Sequence, residues 1–164
     1  MSYETTVKNV YKNNTLVSFL RWTSHVTTLL SAAIFFGVLI IAFLESARLA
    51  VSLAVSVGVP FLAVTAVRNL INLKRPYEVF DFSDAAPKKK SGKSFPSRHA
   101  FSAFAIATAA TAVSLPLAVI AFVLGAALSV SRVLLGIHFP KDVAVGALIG
   151  IFGILIGFLI FAII

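Results

Sequence analysis

The stretch "SRHAFSAFAIATAATAVSLPLAVIAFVLGAALSVSR", residues 97–132, carries no charged side chain between His99 and Arg132. A helix crosses a bilayer with about 20 apolar residues, so Ala100 to Ser131 is too long for one crossing. Pro116, after Ser114 and Leu115, divides it, because proline ends or kinks a helix. Two spans therefore lie inside this one run. It opens on a hydroxyl, a cation and an imidazole in a row: Ser97, Arg98 and His99.

Working outward, Val26 to Leu44, Leu49 to Val67 and Val143 to Ile164 are likewise free of charge. The chain is 59% hydrophobic, with mean hydropathy +1.00, and only 12% of its 164 residues are charged. A soluble domain is closer to about a quarter charged. The expected fold is all-α: one membrane helix bundle over 1–164 with about five transmembrane helices, since backbone groups in lipid need internal partners. Residues 1–25 read as an interfacial helix, with Val7, Val10 and Tyr11 at helical spacing, Lys8 and Lys12 among them, and Arg21-Trp22 following. The bundle then occupies 26–164, with a catalytic loop within 68–99.

No cysteine is present, which removes disulfides, thiolate nucleophiles and Cys-ligated zinc. The net charge of +8 suits anionic lipid headgroups or an anionic substrate better than nucleic acid, because few cations lie on a polar domain. The polar connection from Tyr77 to Phe95 holds Asp81, Asp84, Pro87 and "KKKSGK". Its lysines read as a solvated basic loop, some of them open to steering an anion. Gly146, Gly150, Gly153 and Gly157 line the last span at small-xxx-small spacing. Close packing inside the bundle is the preferred reading of that stripe, and a homodimer seam is the other.

Alternating spans bring Arg68, Lys74, Arg75, Ser97, Arg98, His99, Arg132, His138 and Asp142 to one membrane face. The opposite face has Glu45, Arg48 and the turn at Ser114-Leu115-Pro116. Singly, these polar residues read as anchors that snorkel or as local hydrogen bonds. Arg132 is harder to place so, because a cation at depth costs about 2.5–3.5 kcal/mol on insertion scales and needs an anionic partner. Ser97 suits the N-cap of the third span, and a helix N-terminus favours phosphate. Pro140 suits a first helical position, and Asp142 then faces back toward His138. A carboxylate on one ring nitrogen fixes the tautomer and frees the other nitrogen to attack. His99 remains to protonate a leaving group. No acidic cluster is available for a metal. The chemistry suggested is cofactor-free phosphoryl transfer through a histidine.

The motifs "RNLINLKRP" (68–76), "PSRH" (96–99) and "SRVLLGIHFPKD" (131–142) resemble those of the type-2 phosphatidic acid phosphatase, or lipid phosphate phosphatase, superfamily. That family's patterns are Lys, six residues, Arg-Pro; Pro-Ser-Gly-His; and Ser-Arg, five residues, His, three residues, Asp. The third match is complete in residues and spacing. Arg68 stands in place of the lysine and Arg98 in place of the glycine. The resemblance implies His138 as nucleophile, Asp142 as its orienting partner and His99 as general acid and then base. It implies Arg68, Arg75, Ser97 and Arg132 as the phosphate cradle, with Arg98 and Lys74 as further candidates. It implies a lipid phosphate or diphosphate substrate: phosphatidate, phosphatidylglycerol phosphate or undecaprenyl diphosphate. A non-catalytic lipid-phosphate binder or transporter on the same fold is the competing expectation. A haloperoxidase, which shares the fold, is disfavoured for want of a soluble part.

The expected location is the cell membrane, multi-pass. All 14 Lys+Arg except Arg48 fall on the site face. The positive-inside rule leans that face to the cytoplasm, whereas bacterial relatives more often carry the site outside.

Overall fold

The structure is a computed structural model that describes residues 2–80 and 91–163. Asp81, Asp84, Pro87 and Lys88 to Lys90, and the steering role considered for those lysines, lie outside the described residues. Among the described residues the chain is helical, without strands: α1 (Tyr3–Tyr11), α2 (Asn14–Glu45), α3 (Ala47–Ile71), α4 (Pro76–Val79), α5 (Arg98–Ala110), α6 (Leu115–Leu134) and α7 (Pro140–Ile163).

Caps set most of these boundaries. Ser2 accepts from the amide of Thr5 to start α1, and Asn13 accepts from that of Leu16 at 3.0 Å to start α2. The interfacial helix expected over 1–25 therefore ends at Tyr11, and residues 14–25 belong to α2. At 32 residues α2 is about 48 Å long, more than the thickness of a hydrocarbon core of about 30 Å. Ser46, in extended backbone, closes α2 and opens α3 by itself. Ser114 caps α6, which places Pro116 in the first turn where its missing N–H costs nothing.

Four helical segments are long and apolar enough to cross a membrane: Asn14–Glu45, Ala47–Val79, Leu115–Leu134 and Pro140–Ile163. The expected fifth span is α5, and it falls short. Its 13 residues cover about 20 Å, and nine of them are buried. α5 packs against α7 and α6 most extensively and also meets α3 and α2, while α6 and α7 barely touch. It is a central helix walled off from lipid by protein. The non-helical backbone leading to it, Ser94 to Ser97, is tolerated at depth because it too is enclosed.

Glycine makes the α5–α7 contact possible. A Cβ on Gly146 would lie 2.5 Å from the carbonyl oxygen of Ser97, and one on Gly150 would lie 2.6 Å from that of Phe101. Gly157 meets the Ser56 side chain of α3, and Gly153 faces Pro60. The stripe considered for a homodimer is thus occupied by α5 and α3 of the same chain. Because Gly146 lies six residues into α7, α5 begins about 9 Å below the start of α7. That offset leaves a recess at one end of the bundle.

Candidate active site

Three connections close over the recess. The first follows α3, where Asn72 adopts the left-handed conformation (φ 45°) and turns the chain toward Arg75 and Pro76. Glu78 then accepts from the amides of Arg75 and Gly92 and from the Ser91 hydroxyl. Arg75 returns a hydrogen bond from Nε to the Gly92 carbonyl at 3.0 Å and lies 5.9 Å from the Tyr77 ring centroid. Residues 91–97 are fixed further by Ser94 N on Leu73 O and by Arg68. Arg68 is only 6% exposed, and its Nη1 donates to the carbonyls of Ser94 and Pro96. One branch of this expected phosphate ligand is therefore spent on backbone.

Ser97 is the N-cap of α5, as its position before the apolar run predicts: its Oγ accepts from Ala100 N at 3.4 Å. Its own amide donates to Asp142 O, joining α5 to the first turn of α7. Arg98 and His99 are the first two residues of α5, both half-buried.

The third connection aims His138. At the end of α6, Ile137 N donates to Arg132 O and Gly136 N to Val133 O, with Gly136 at φ 63°. This is a Schellman stop, and glycine takes its left-handed position without a Cβ penalty. His138 follows, and Pro140 opens α7. Asp142 reaches back from the first turn to accept from Phe139 N at 3.0 Å, one half of a capping box.

His138 and Asp142 are 2% and 1% exposed, so their partners matter. Asp142 Oδ2 lies 3.8 Å from His138 Nδ1, too far for a hydrogen bond. Between them stands Ser94, whose hydroxyl donates to Asp142 Oδ2 at 2.5 Å and lies 3.5 Å from His138 Nδ1. The direct carboxylate–imidazole bond expected from the spacing is replaced by one relayed through this serine. Ser94 escaped notice because a lone serine in a polar loop carries no signal by itself. Burial pushes the His138 imidazole below its ordinary pKa, and nearby Arg75 and Arg68 push the same way. Asp142 opposes them without winning, so the ring is neutral at pH 7.

Tyr3 was missed as well. Its hydroxyl donates to Val133 O at 3.0 Å and His138 O at 3.1 Å, and Tyr11 donates to Leu135 O at 3.0 Å. Burial raises the Tyr3 phenol well above its ordinary value and keeps it a donor. Tyr3, Phe80 and Phe139 stack beside it. Thus α1 clamps the connection that carries His138.

Arg132, His138, Arg98 and Arg68 all lie within electrostatic range of the His99 ring. Arg132 Nε is buried without a hydrogen-bond partner among the described residues. His99 makes no hydrogen bond to a described residue. Lys74 is exposed on the rim, lining a cleft over Asp142 with Lys141, and is not among the groups acting on either histidine. Among the described residues Asp142 is the one carboxylate at the two histidines, and no three His, Asp or Glu side chains form a metal-binding group.

Similar solved structures include the following two. One is LpxE from Aquifex aeolicus, with TM-score 0.70 and 27% identity over 89% of this chain and 87% of that one. The other is a transmembrane PAP2-type phosphatidylglycerolphosphate phosphatase from Bacillus subtilis, with TM-score 0.69 and 24% identity over 94% of this chain and 82% of that one. No functionally curated protein matches in sequence. The PAP2 superfamily profile matches residues 45–163, from the end of α2 to the last turns of α7 and across every connection that builds the recess. This chain is a member of the PAP2 superfamily.

Proposed function

We propose that this protein is a membrane lipid phosphatase acting through a phosphohistidine. The observation that carries the reading is Arg132 Nε, buried beside His99 without a partner among the described residues. A cation desolvated without an anion calls for one from the substrate. Family membership and the two phosphatase-fold relatives support the same class.

The Ser94 relay occupies His138 Nδ1 and leaves the Nε2 lone pair for phosphorus. The anionic phosphate, bound with a proton and set against the arginines around His99, restores the proton that burial and those cations deny the free imidazole. Attack then forms the N–P bond as the P–O bond to the lipid breaks, and His99 gives its proton to the departing oxygen. The phosphorylated ring is cationic and faces Asp142. His99, now neutral, takes a proton from water. The resulting hydroxide attacks phosphorus, the P–N bond breaks and inorganic phosphate leaves. Arg132, the free donors of Arg75 and the α5 N-terminus face the charge on the equatorial oxygens. Candidate substrates are phosphatidate, phosphatidylglycerol phosphate and undecaprenyl diphosphate. The Lys and Arg distribution supports a cytoplasmic site face in the cell membrane.

The test is phosphate release from these three lipids by purified protein in detergent, with EDTA present. Release that disappears in His138→Asn is the expected result. Release that survives the substitution, or that needs added magnesium or zinc, overturns the mechanism. For sidedness, Ser91→Cys in whole cells should resist an impermeant maleimide; labelling reverses the orientation.

A further inference from the structure

A cavity of about 280 Å³ runs from Arg98 and His99 along α5 to Ile106, between α2 and α6. Its upper end is cationic. Its lower end, lined by Ala32, Ala103, Ile106 and Leu128, is apolar and lies about 12 Å deeper in the bundle. That polarity matches an amphiphile with its anionic end uppermost. Arg98 is the unusual element. It stands where the resembled motif has glycine, and its guanidinium carbon lies 5.7 Å from the Phe61 ring centroid on the cavity wall. It forms no ion pair with any described residue.

His99 and Arg98 line the same cavity, whereas His138 does not. On the proposed mechanism His99 meets the leaving oxygen, so the cavity receives the leaving group. A cation there faces the part of the substrate that departs and not the phosphoryl group being transferred. We propose that Arg98 is a specificity-determining residue that selects lipids whose leaving group carries its own anionic phosphate. In a diphosphate this is the phosphate bonded through the bridging oxygen. When the P–O bond breaks, the electron pair stays on that oxygen, and the charge growing on the leaving phosphate lies beside Arg98 and Phe61. A phosphodiester a few atoms farther along the leaving group offers the same chemistry at a greater distance.

This inference rests on the phosphatase reading, and its test separates the two. Arg98→Met and Arg98→Lys are assayed on a prenyl diphosphate, phosphatidylglycerol phosphate and phosphatidate, and kcat/KM ratios are taken within each preparation. Any misfolded fraction then cancels. Arg98→Met should lower the diphosphate-to-phosphatidate ratio about 10- to 100-fold, the size of a lost charge-assisted hydrogen bond. Arg98→Lys should recover part of it. If the phosphatidylglycerol phosphate ratio falls instead, the anion recognised is the phosphodiester. An unchanged ratio for both substrates overturns the role of Arg98 and leaves the phosphatase standing. Release that does not depend on His138 overturns the phosphatase reading itself.

Discussion

The two ends of the bundle are built on opposite principles. At the far end α2 and α3 are joined through Ser46 alone, and α5 and α6 by the short turn from Thr111 to Ser114. The main tie between remote segments there is Arg48 Nη2 on Phe161 O at 3.3 Å. At the site end each connection is bonded to another. Arg68 and Arg75 hold residues 92–96, Ser94 holds Asp142, Ser97 holds Asp142 O, and Tyr3 holds the His138 connection. One end reverses the chain with few residues. The other uses buried side-chain donors on backbone carbonyls to fix a recess. Polar groups that cost energy in a membrane are concentrated where they aim other residues.

The sharpest way to break this contrast is to remove one polar group from each end. His138→Asn should cut turnover by at least about 10⁴-fold on every substrate, the scale on which loss of a nucleophile operates. Arg48→Met should stay within about twofold. Single-turnover phosphate release reads both, and comparable losses would erase the division of labour.

His99 sharpens it within the site. A lipid alkoxide leaves poorly without a proton, whereas a lipid phosphate leaves well. His99→Ala should therefore cost about 10²–10⁴-fold on a monophosphate and markedly less on a diphosphate. Equal losses would reduce His99 to a phosphate contact. The expected shift in substrate ratio runs opposite to that of Arg98→Met, from the adjacent residue.

Acid titration is a milder test. A buried imidazole whose pKa lies below the ordinary value of about 6.5 is neutral above that value and gains its proton only below it. Attack by His138 should persist as pH falls to 6.5 and then decline, up to about tenfold per pH unit. The unfolded chain binds that proton more readily, so stability should begin to fall at about pH 6.5, above the folded midpoint at which attack declines. Histidine-labelled NMR of the detergent-solubilised protein locates the titration. A His138 midpoint above 6.5 would mean that Asp142 outweighs burial.

Tyr3→Phe should have the smallest effect. It removes a donor shared by two carbonyls, each such bond worth about 0.5–1.5 kcal/mol. A loss of about 2- to 10-fold in kcat with KM kept is expected. A change in KM alone would place α1 at the substrate and not behind the catalytic connection.

Much of this was legible because membrane spans and the third motif are dense signals. The apolar runs, Pro116 and the Ser97 cap mark helix ends, and alternation of spans gathers Arg68, Arg75, Arg98, His99, Arg132, His138 and Asp142 at one end. Length misled at α5, where Ala100 to Ser114 is as apolar as a span but faces protein and not lipid. Hydropathy does not distinguish the two. The α1–α2 break was available in "KNNT" as an N-cap signal, though lysines and Arg21 suggested one interfacial helix. Ser94 and Tyr3 act through contacts 48 and 135 residues away, which no local pattern encodes.

The Tyr3 clamp also sets an order of assembly. The first described helix is made before any of its acceptors, since Val133, Leu135 and His138 follow almost the whole bundle. During synthesis the hydroxyls of Tyr3 and Tyr11 meet these acceptors only after α6 and the connection that follows it have been made. A partly translated chain already holds Arg68, Arg75 and Arg98, but Arg132, His138 and the first turn of α7 come later. The recess needs the first turns of α7 as one wall, so the candidate phosphate site and the candidate nucleophile are completed together, when α1 closes on the connection that follows α6.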